Sequence, residues 1–213
     1  MKAAGYTLRP PFPSMLRAVE FSHHLLREHL FPGDMAIDAT AGNGHDTHFL
    51  AQLTGPDGMV YAFDVQGGAI AATRQLLERW GVPGDSWNLI HAGHETMLEA
   101  IPAIWHGRAG AVLFNLGYLP GSDKSVTTGA ATTVAAIRAA LTLLRPGGIL
   151  VAVLYTAHPG GKEEAQAVLD FCAGMQPREF HSIEYRTVNS RNHPPSVVAI
   201  EKAGTDMEPD YSI

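Results

Sequence analysis

Apolar and polar positions along this chain change period repeatedly. Short apolar runs predict strands at residues 35–39, 59–64, 87–91, 109–115 and 149–155. Between them, apolar residues recur every three or four positions. That spacing predicts helices at 46–53, 68–80, 128–144 and 162–173, and a short one within 93–101. An earlier helix, capped by Ser14 and ending near Leu30, gathers Met15, Leu16, Val19, Leu25, Leu26 and Leu30 on one broad face, and Phe31-Pro32-Gly33-Asp34 ends it. Arg145-Pro146-Gly147-Gly148 reads as a turn. Two more strands, near 179–187 and 196–201, flank a loop at 189–195. Repeated strand–helix units imply an α/β fold, with a mainly parallel, seven-stranded, Rossmann-like sheet covered on both faces. The last two strands, joined by one loop, imply a terminal antiparallel hairpin.

The 213 residues suffice for one well-buried core. The expected organisation is a Pro-rich arm at 1–13, a single domain at 14–202 and a tail at 203–213. With 46% hydrophobic and 17% charged residues, the composition is that of a globular chain. No apolar run approaches the ~20 residues of a membrane span. The first residues carry no apolar segment of the secretory type. One cysteine, Cys172, excludes an internal disulfide. These features point to the cytoplasm, with no membrane partner. The formal charge of −6, from 15 basic and 21 acidic residues, argues against nonspecific nucleic-acid binding over the whole surface but leaves room for a local basic patch. Arg17, His23, His24, Arg27, Arg186 and Arg191 are its candidate members.

In open α/β sheets, ligands bind beyond the carboxyl ends of the strands, and the chemistry-bearing residues fall there. After the first strand comes Asp38-Ala39-Thr40-Ala41-Gly42-Asn43-Gly44-His45-Asp46-Thr47. Gly42 and Gly44 let a backbone approach a ligand, and the following helix offers free N–H groups. Thr47 stands where a dinucleotide fingerprint needs its third glycine, which speaks against a nicotinamide dehydrogenase. The spacing D-x-x-x-G-x-G fits the first motif of proteins that bind S-adenosylmethionine, with Thr40 where glycine is common and Asp38 or Asp46 available to the cofactor's ammonium. The second strand ends at Asp64, twenty residues after Gly44, where a carboxylate can accept both ribose hydroxyl protons. Gln66 is a candidate for the ribose or adenine edge, and His91, His94 and Glu95 line the expected adenine position. A tight turn that binds nothing would explain the glycine pair alone; it does not explain all three strand ends.

The fourth strand runs into Asn115-Leu116-Gly117-Tyr118, which resembles the N-P-P-Y type loop of methyltransferases acting on exocyclic amines. The Asn115 side-chain oxygen and a backbone carbonyl, with Leu116 the candidate, can accept the amine's N–H groups and so aim its lone pair. Gly117 permits the turn and Tyr118 offers a stacking ring. On this reading Asn115→Asp should be a mild change, because it keeps an acceptor oxygen. Asp123 and Lys124 in the same loop, and His158, Arg191 and Asn192 in the two distal loops, are candidate substrate contacts. No ligand spacing supports a metal site.

Taken in order, DATAGNGHDT, FDVQ, HAGHE, FNLGYLPGSDK and N-x-x-N-H-P-P resemble the bacterial tRNA 5-(aminomethyl)-2-thiouridine methyltransferase family, also known as putative rRNA methylases, over about residues 15–202. The resemblance implies a class I methyltransferase fold, S-adenosylmethionine as cofactor, and methyl transfer to the aminomethyl nitrogen of a tRNA wobble uridine, with the anticodon stem-loop as partner. It assigns cofactor binding to residues 38–47, Asp64, Gln66 and 91–95. Amine holding falls to 115–118, and substrate contact to Asp123, Lys124 and Asn192. Thr156-Ala157 departs from the histidine and glycine expected there. The alternatives are a methyltransferase of rRNA or a small amine, and a cofactor-binding protein without catalysis. The oligomeric state stays open, a homodimer included.

Overall fold

In the computed structural model, residues 15–117, 129–190, 192 and 194–204 are described. Ser14, Tyr118, Asp123, Lys124 and Arg191 therefore lie outside the described residues, as do the 1–13 arm and most of the tail.

The strands are β1 (Met35–Asp38), β2 (Met59–Phe63), β3 (Trp87–Ile90), β4 (Ala109–Leu116), β5 (Leu144–Leu154), β6 (Phe180–Tyr185) and β7 (Ser196–Lys202). They form one sheet in the order β3-β2-β1-β4-β5-β7-β6. The first five are parallel. β7 inserts antiparallel between β5 and β6, so the hairpin foreseen in the sequence closes the sheet. The helices are α1 (Ala18–His29), α2 (His45–Thr54), α3 (Gly67–Arg79), the one-turn α4 (Met97–Ala100), α5 (Ala130–Leu143) and α6 (Gly161–Ala173). Among the described residues, no helix is long and apolar enough to cross a membrane.

Central strands are apolar on both faces because helices cover both. The period-two alternation splits each strand between two cores. Ile37, Val112, Phe114 and Leu150 pack towards Ile137 of α5 and Val168 of α6. Ala36, Leu113, Val151 and Val153 pack towards Leu26 of α1 and Leu50 of α2. The same alternation turns Asp38 and Asn115, at the ends of neighbouring strands, to the α1–α2 side. That parity positions the site.

Two elements differ from the sequence-based expectation. α1 begins at Ala18, not after Ser14, because Glu20 closes the helix start: its carboxylate accepts the Arg17 backbone N–H at 2.9 Å and the Arg17 guanidinium at 2.6 Å. β5 begins at Leu144, so the expected turn at 145–148 lies inside the strand. The Gly147 φ of 69° and a register break between Ala109 and Ala111 accommodate it as a bulge. A Cβ on Gly148 would stand 2.8 Å from the Ala109 carbonyl oxygen, so only glycine fits there.

Candidate functional site

A cavity of about 710 Å³ opens at the carboxyl ends of β1, β2 and β4, within the usual range for small-molecule sites. The loop from β1 to α2 forms its floor. Gly44 caps α2 in the left-handed region at φ 82°, and a Cβ there would lie 2.8 Å from the Thr73 Cα of α3. Glycine is thus required both by conformation and by the approach of α3. The Thr73 hydroxyl donates to the Gly42 carbonyl at 3.3 Å.

Two carboxylates brace this loop. Asp38 is fully buried; it accepts the Thr40 N–H at 3.0 Å and the Thr47 hydroxyl at 2.6 Å. Burial, reinforced by the nearby Asp46 charge, pushes its carboxyl up to about 7. Asp38 and Thr47 do not line the cavity, so their work is to hold the loop rather than to touch a ligand. Asp64 does line it. One of its oxygens accepts the Gly42 N–H at 2.9 Å and the other the Gln66 N–H at 2.8 Å. An ionised carboxylate has about four lone-pair sites, so two remain to receive a pair of hydroxyls.

Thr40, Gly42, Asn43 and Gln66 also face the cavity. At the end of β3, Gly93, His94 and Glu95 form a wall. His94 is buried edge-on against Phe114, with Nδ1 3.2 Å from the Ala39 carbonyl; burial lowers its pKa and keeps it neutral. His91 turns away: its Nε2 bonds the Val65 carbonyl at 3.0 Å, and it does not line the cavity.

Asn115 sits at the opposite wall. Its backbone N–H donates to the Thr40 hydroxyl at 2.7 Å, and its side-chain Nδ2 donates to Asp46 Oδ2 at 2.7 Å. An ionised carboxylate only accepts, so the amide nitrogen must face Asp46. The amide oxygen is thereby left for the cavity, which Asn115 lines. The other Asp46 oxygen is 2.7 Å from His23 Nε2. Leu116 is buried in the core, and its carbonyl already accepts the Tyr155 N–H at 3.1 Å. Gly117 packs against Tyr155, whose Cβ would be 3.3 Å from a Cβ placed there. Tyr155 and His158 complete this end, and a smaller cavity of about 500 Å³ continues from His158 past Lys162 to Asn192.

Sequence reasoning missed Val19 and Thr132 as cavity residues, and missed the bond from His23 to Asp46. Val19 and His23 are four residues apart and share a face of α1. A polar ring in the apolar stripe of a helix was the available signal.

Three carboxylates, Asp46, Asp64 and Glu95, line the cavity beside His45, His94 and His158, with no lysine or arginine among the described lining residues. That suits a cationic ligand and not a pyrophosphate. Among the described residues, no group of three histidine, cysteine or acidic side chains is placed to hold a metal.

The family model described as "Putative rRNA methylase" matches residues 60–201. The chain belongs to this family. The chain is also 36% identical, over 180 residues, to the chloroplastic tRNA (mnm5s2U34)-methyltransferase of Arabidopsis thaliana; the match covers 81% of this chain and 65% of the plant protein's length. A putative rRNA methylase of Clostridium thermocellum superposes with a TM-score of 0.84 at 38% identity, covering 89% of this chain and all of that one. A putative methyltransferase of Streptococcus mutans, solved in complex with S-adenosylhomocysteine (SAH), superposes with a TM-score of 0.79 at 40% identity, covering 88% and 99%. The fold is accordingly the class I methyltransferase fold foreseen in the sequence.

Proposed function

We propose that this protein is an S-adenosylmethionine-dependent N-methyltransferase that modifies the aminomethyl nitrogen of 5-aminomethyl-(2-thio)uridine at the wobble position of tRNA, in the cytoplasm. The observation that carries this reading is the Asn115 amide, locked by Asp46 with its oxygen left to the cavity. The acidic lining, the free lone pairs of Asp64 and the SAH-bound Streptococcus relative support the cofactor. The name of the plant relative supports the acceptor.

When bound, S-adenosylmethionine supplies an electrophilic methyl group on a sulfonium. The chain's own residues do the rest. Asp64 receives the ribose hydroxyls, the glycine loop passes beneath, and His94 and Glu95 flank the base. The Asn115 oxygen accepts one N–H of the acceptor amine, which directs the nitrogen lone pair in line with the methyl group. Because the donor is already activated, positioning dominates the rate. Val19 and Tyr155 line the cavity beside Asn115.

The test is incubation of the purified protein with methyl-labelled S-adenosylmethionine and, separately, tRNA carrying 5-aminomethyl-2-thiouridine, rRNA, and free alkylamines, followed by nucleoside mass spectrometry. Label on the aminomethyl nitrogen of tRNA alone is expected. Label in rRNA only, or in none of the three, overturns the reading.

A further inference from the structure

We infer that His23 is a positioning residue for methyl transfer: it holds Asp46, and through Asp46 it sets the direction of the Asn115 amide. The inference rests on the proposed function for its catalytic consequence.

Three elements meet in this chain of bonds. His23 comes from α1, Asp46 from the first turn of α2, and Asn115 from the end of β4. Both Asp46 oxygens are engaged at 2.7 Å, one by His23 Nε2 and one by Asn115 Nδ2. Since the carboxylate only accepts, His23 must carry its proton on Nε2. The His23 ring is fixed by a second contact, a stack on Phe49 with centroids 4.0 Å apart and planes 13° apart. Phe49 lies three residues after Asp46, so one face of α2 supplies both the ring that seats His23 and the carboxylate that it bonds.

The consequence is geometric. A carboxylate bonded on one side only can rotate about its Cβ–Cγ bond, a torsion with a broad profile. With His23 and Asn115 on opposite oxygens, that rotation would break two bonds. Among the described residues, Asp46 is the side-chain anchor of the Asn115 amide. Losing His23 therefore loosens Asp46 first and the Asn115 oxygen second, without removing any group that touches the reactants. His23 and Asp46 are both about one-fifth exposed, so water weakens but does not replace the constraint.

Two substitutions separate the bond from the packing. His23→Phe keeps a ring on Phe49 and removes the donor. His23→Gln keeps a donor near the Nε2 position and removes the ring. His23→Phe should lower turnover about tenfold while SAM affinity stays within about twofold, as misplacement of a positioned group does. His23→Gln should recover most of that loss. In the Asn115→Ala background, His23→Phe should cost nothing further, because coupled residues are non-additive. The Asn115 side-chain amide resonances in a nitrogen-15 spectrum, read without substrate, should move in His23→Phe and return towards wild type in His23→Gln. Wild-type turnover in His23→Phe, equal loss in both variants, or additive loss with Asn115→Ala overturns the inference. If wild-type protein methylates no RNA, the proposed function fails instead, and the amide resonances still decide whether His23 orients Asn115.

Discussion

Asp46 Oδ2 lies 2.7 Å from Asn115 Nδ2, so a carboxylate on α2 decides which way the asparagine amide at the end of β4 faces. Asn115→Ala should reduce turnover by ~10²-fold or more, the scale of losing an oriented polar contact at the reacting centre. SAM affinity should hardly change. The sequence-based expectation for Asn115→Asp was mild damage, but the structure reverses it. A carboxylate there would face Asp46 at hydrogen-bond distance, with like charges in place of a donor and acceptor. Asn115→Asp should therefore be at least as impaired as Asn115→Ala at neutral pH. Single-turnover rates on modified tRNA check both.

Asp64 ties the end of β2 to the glycine loop by accepting the Gly42 N–H, and it faces the cavity with lone pairs to spare. Asp64→Ala should weaken SAM binding by roughly 1–3 kcal/mol, the cost of leaving polar partners unpaired. NAD should not bind. Calorimetric titration with each ligand decides the matter; tight NAD binding without SAM binding would contradict the acidic-lining argument.

Most of the architecture was legible because its signals are local. Short apolar runs bounded by turn residues located the strands, and the hairpin followed from two consecutive strands. The cavity's glycine loop, Asp64, His94, Glu95 and Asn115 were legible because strand ends collect ligands in this topology. What escaped depends on packing between distant segments. His23 and Asp46 are 23 positions apart, and Asn115 is 69 beyond Asp46. No spacing rule announces such a triple. The sequence offers Asp38 beside Asp46 for the cofactor's ammonium, yet its carboxylate is fully buried and off the cavity, where it holds Thr40 and Thr47. His91 sat in the right segment, but its ring bonds the Val65 carbonyl and does not line the cavity.

The buried Asp38 makes a pH prediction. Its carboxyl rises from an ordinary value of 3.8 to about 7 in the fold, chiefly through burial. Between those values the folded state binds more protons than the unfolded state, so stability falls as pH rises from about 4 to about 7. This group's stabilisation is complete below pH 4 and gone above pH 7. Asp38→Asn keeps an acceptor for Thr40 and removes the titration. Denaturant unfolding across pH 4–8 should show wild type losing stability relative to Asp38→Asn over that window. Parallel curves would mean that Asp38 does not titrate there.

Gly44→Ala should destabilise the protein by roughly 2–4 kcal/mol, combining a positive φ with overpacking against Thr73. The loop that supplies the cavity floor should shift with it, so SAM affinity should fall as well. Chemical denaturation and ligand titration measure the two effects separately. Unchanged stability would show that α3 yields at Thr73.

RNA binding should be electrostatically sparse, and α1 explains why. Val19 of α1 lines the cavity, and Arg17, His23, His24 and Arg27 lie along the same segment, so this is where RNA contacts are expected to meet the proposed reaction site. Much of that charge is already engaged. Arg17 pairs with Glu20 at 2.6 Å and Arg27 lies 4.8 Å above the Phe49 ring; away from α1, Arg186 is 3.3 Å from Glu184. Glu20 offsets the Arg17 charge, whereas Arg27 packs on a neutral ring. Affinity for an anticodon stem-loop should fall with salt, at a log–log slope of about −1 to −3, the range for a few phosphate contacts. Arg27→Glu should weaken RNA binding at low salt more than Arg17→Glu does, with SAM affinity unchanged in both. Glu20→Gln should release Arg17 and steepen the slope by up to about one. A slope near zero, or one that none of these three substitutions alters, would place the RNA-binding surface away from α1.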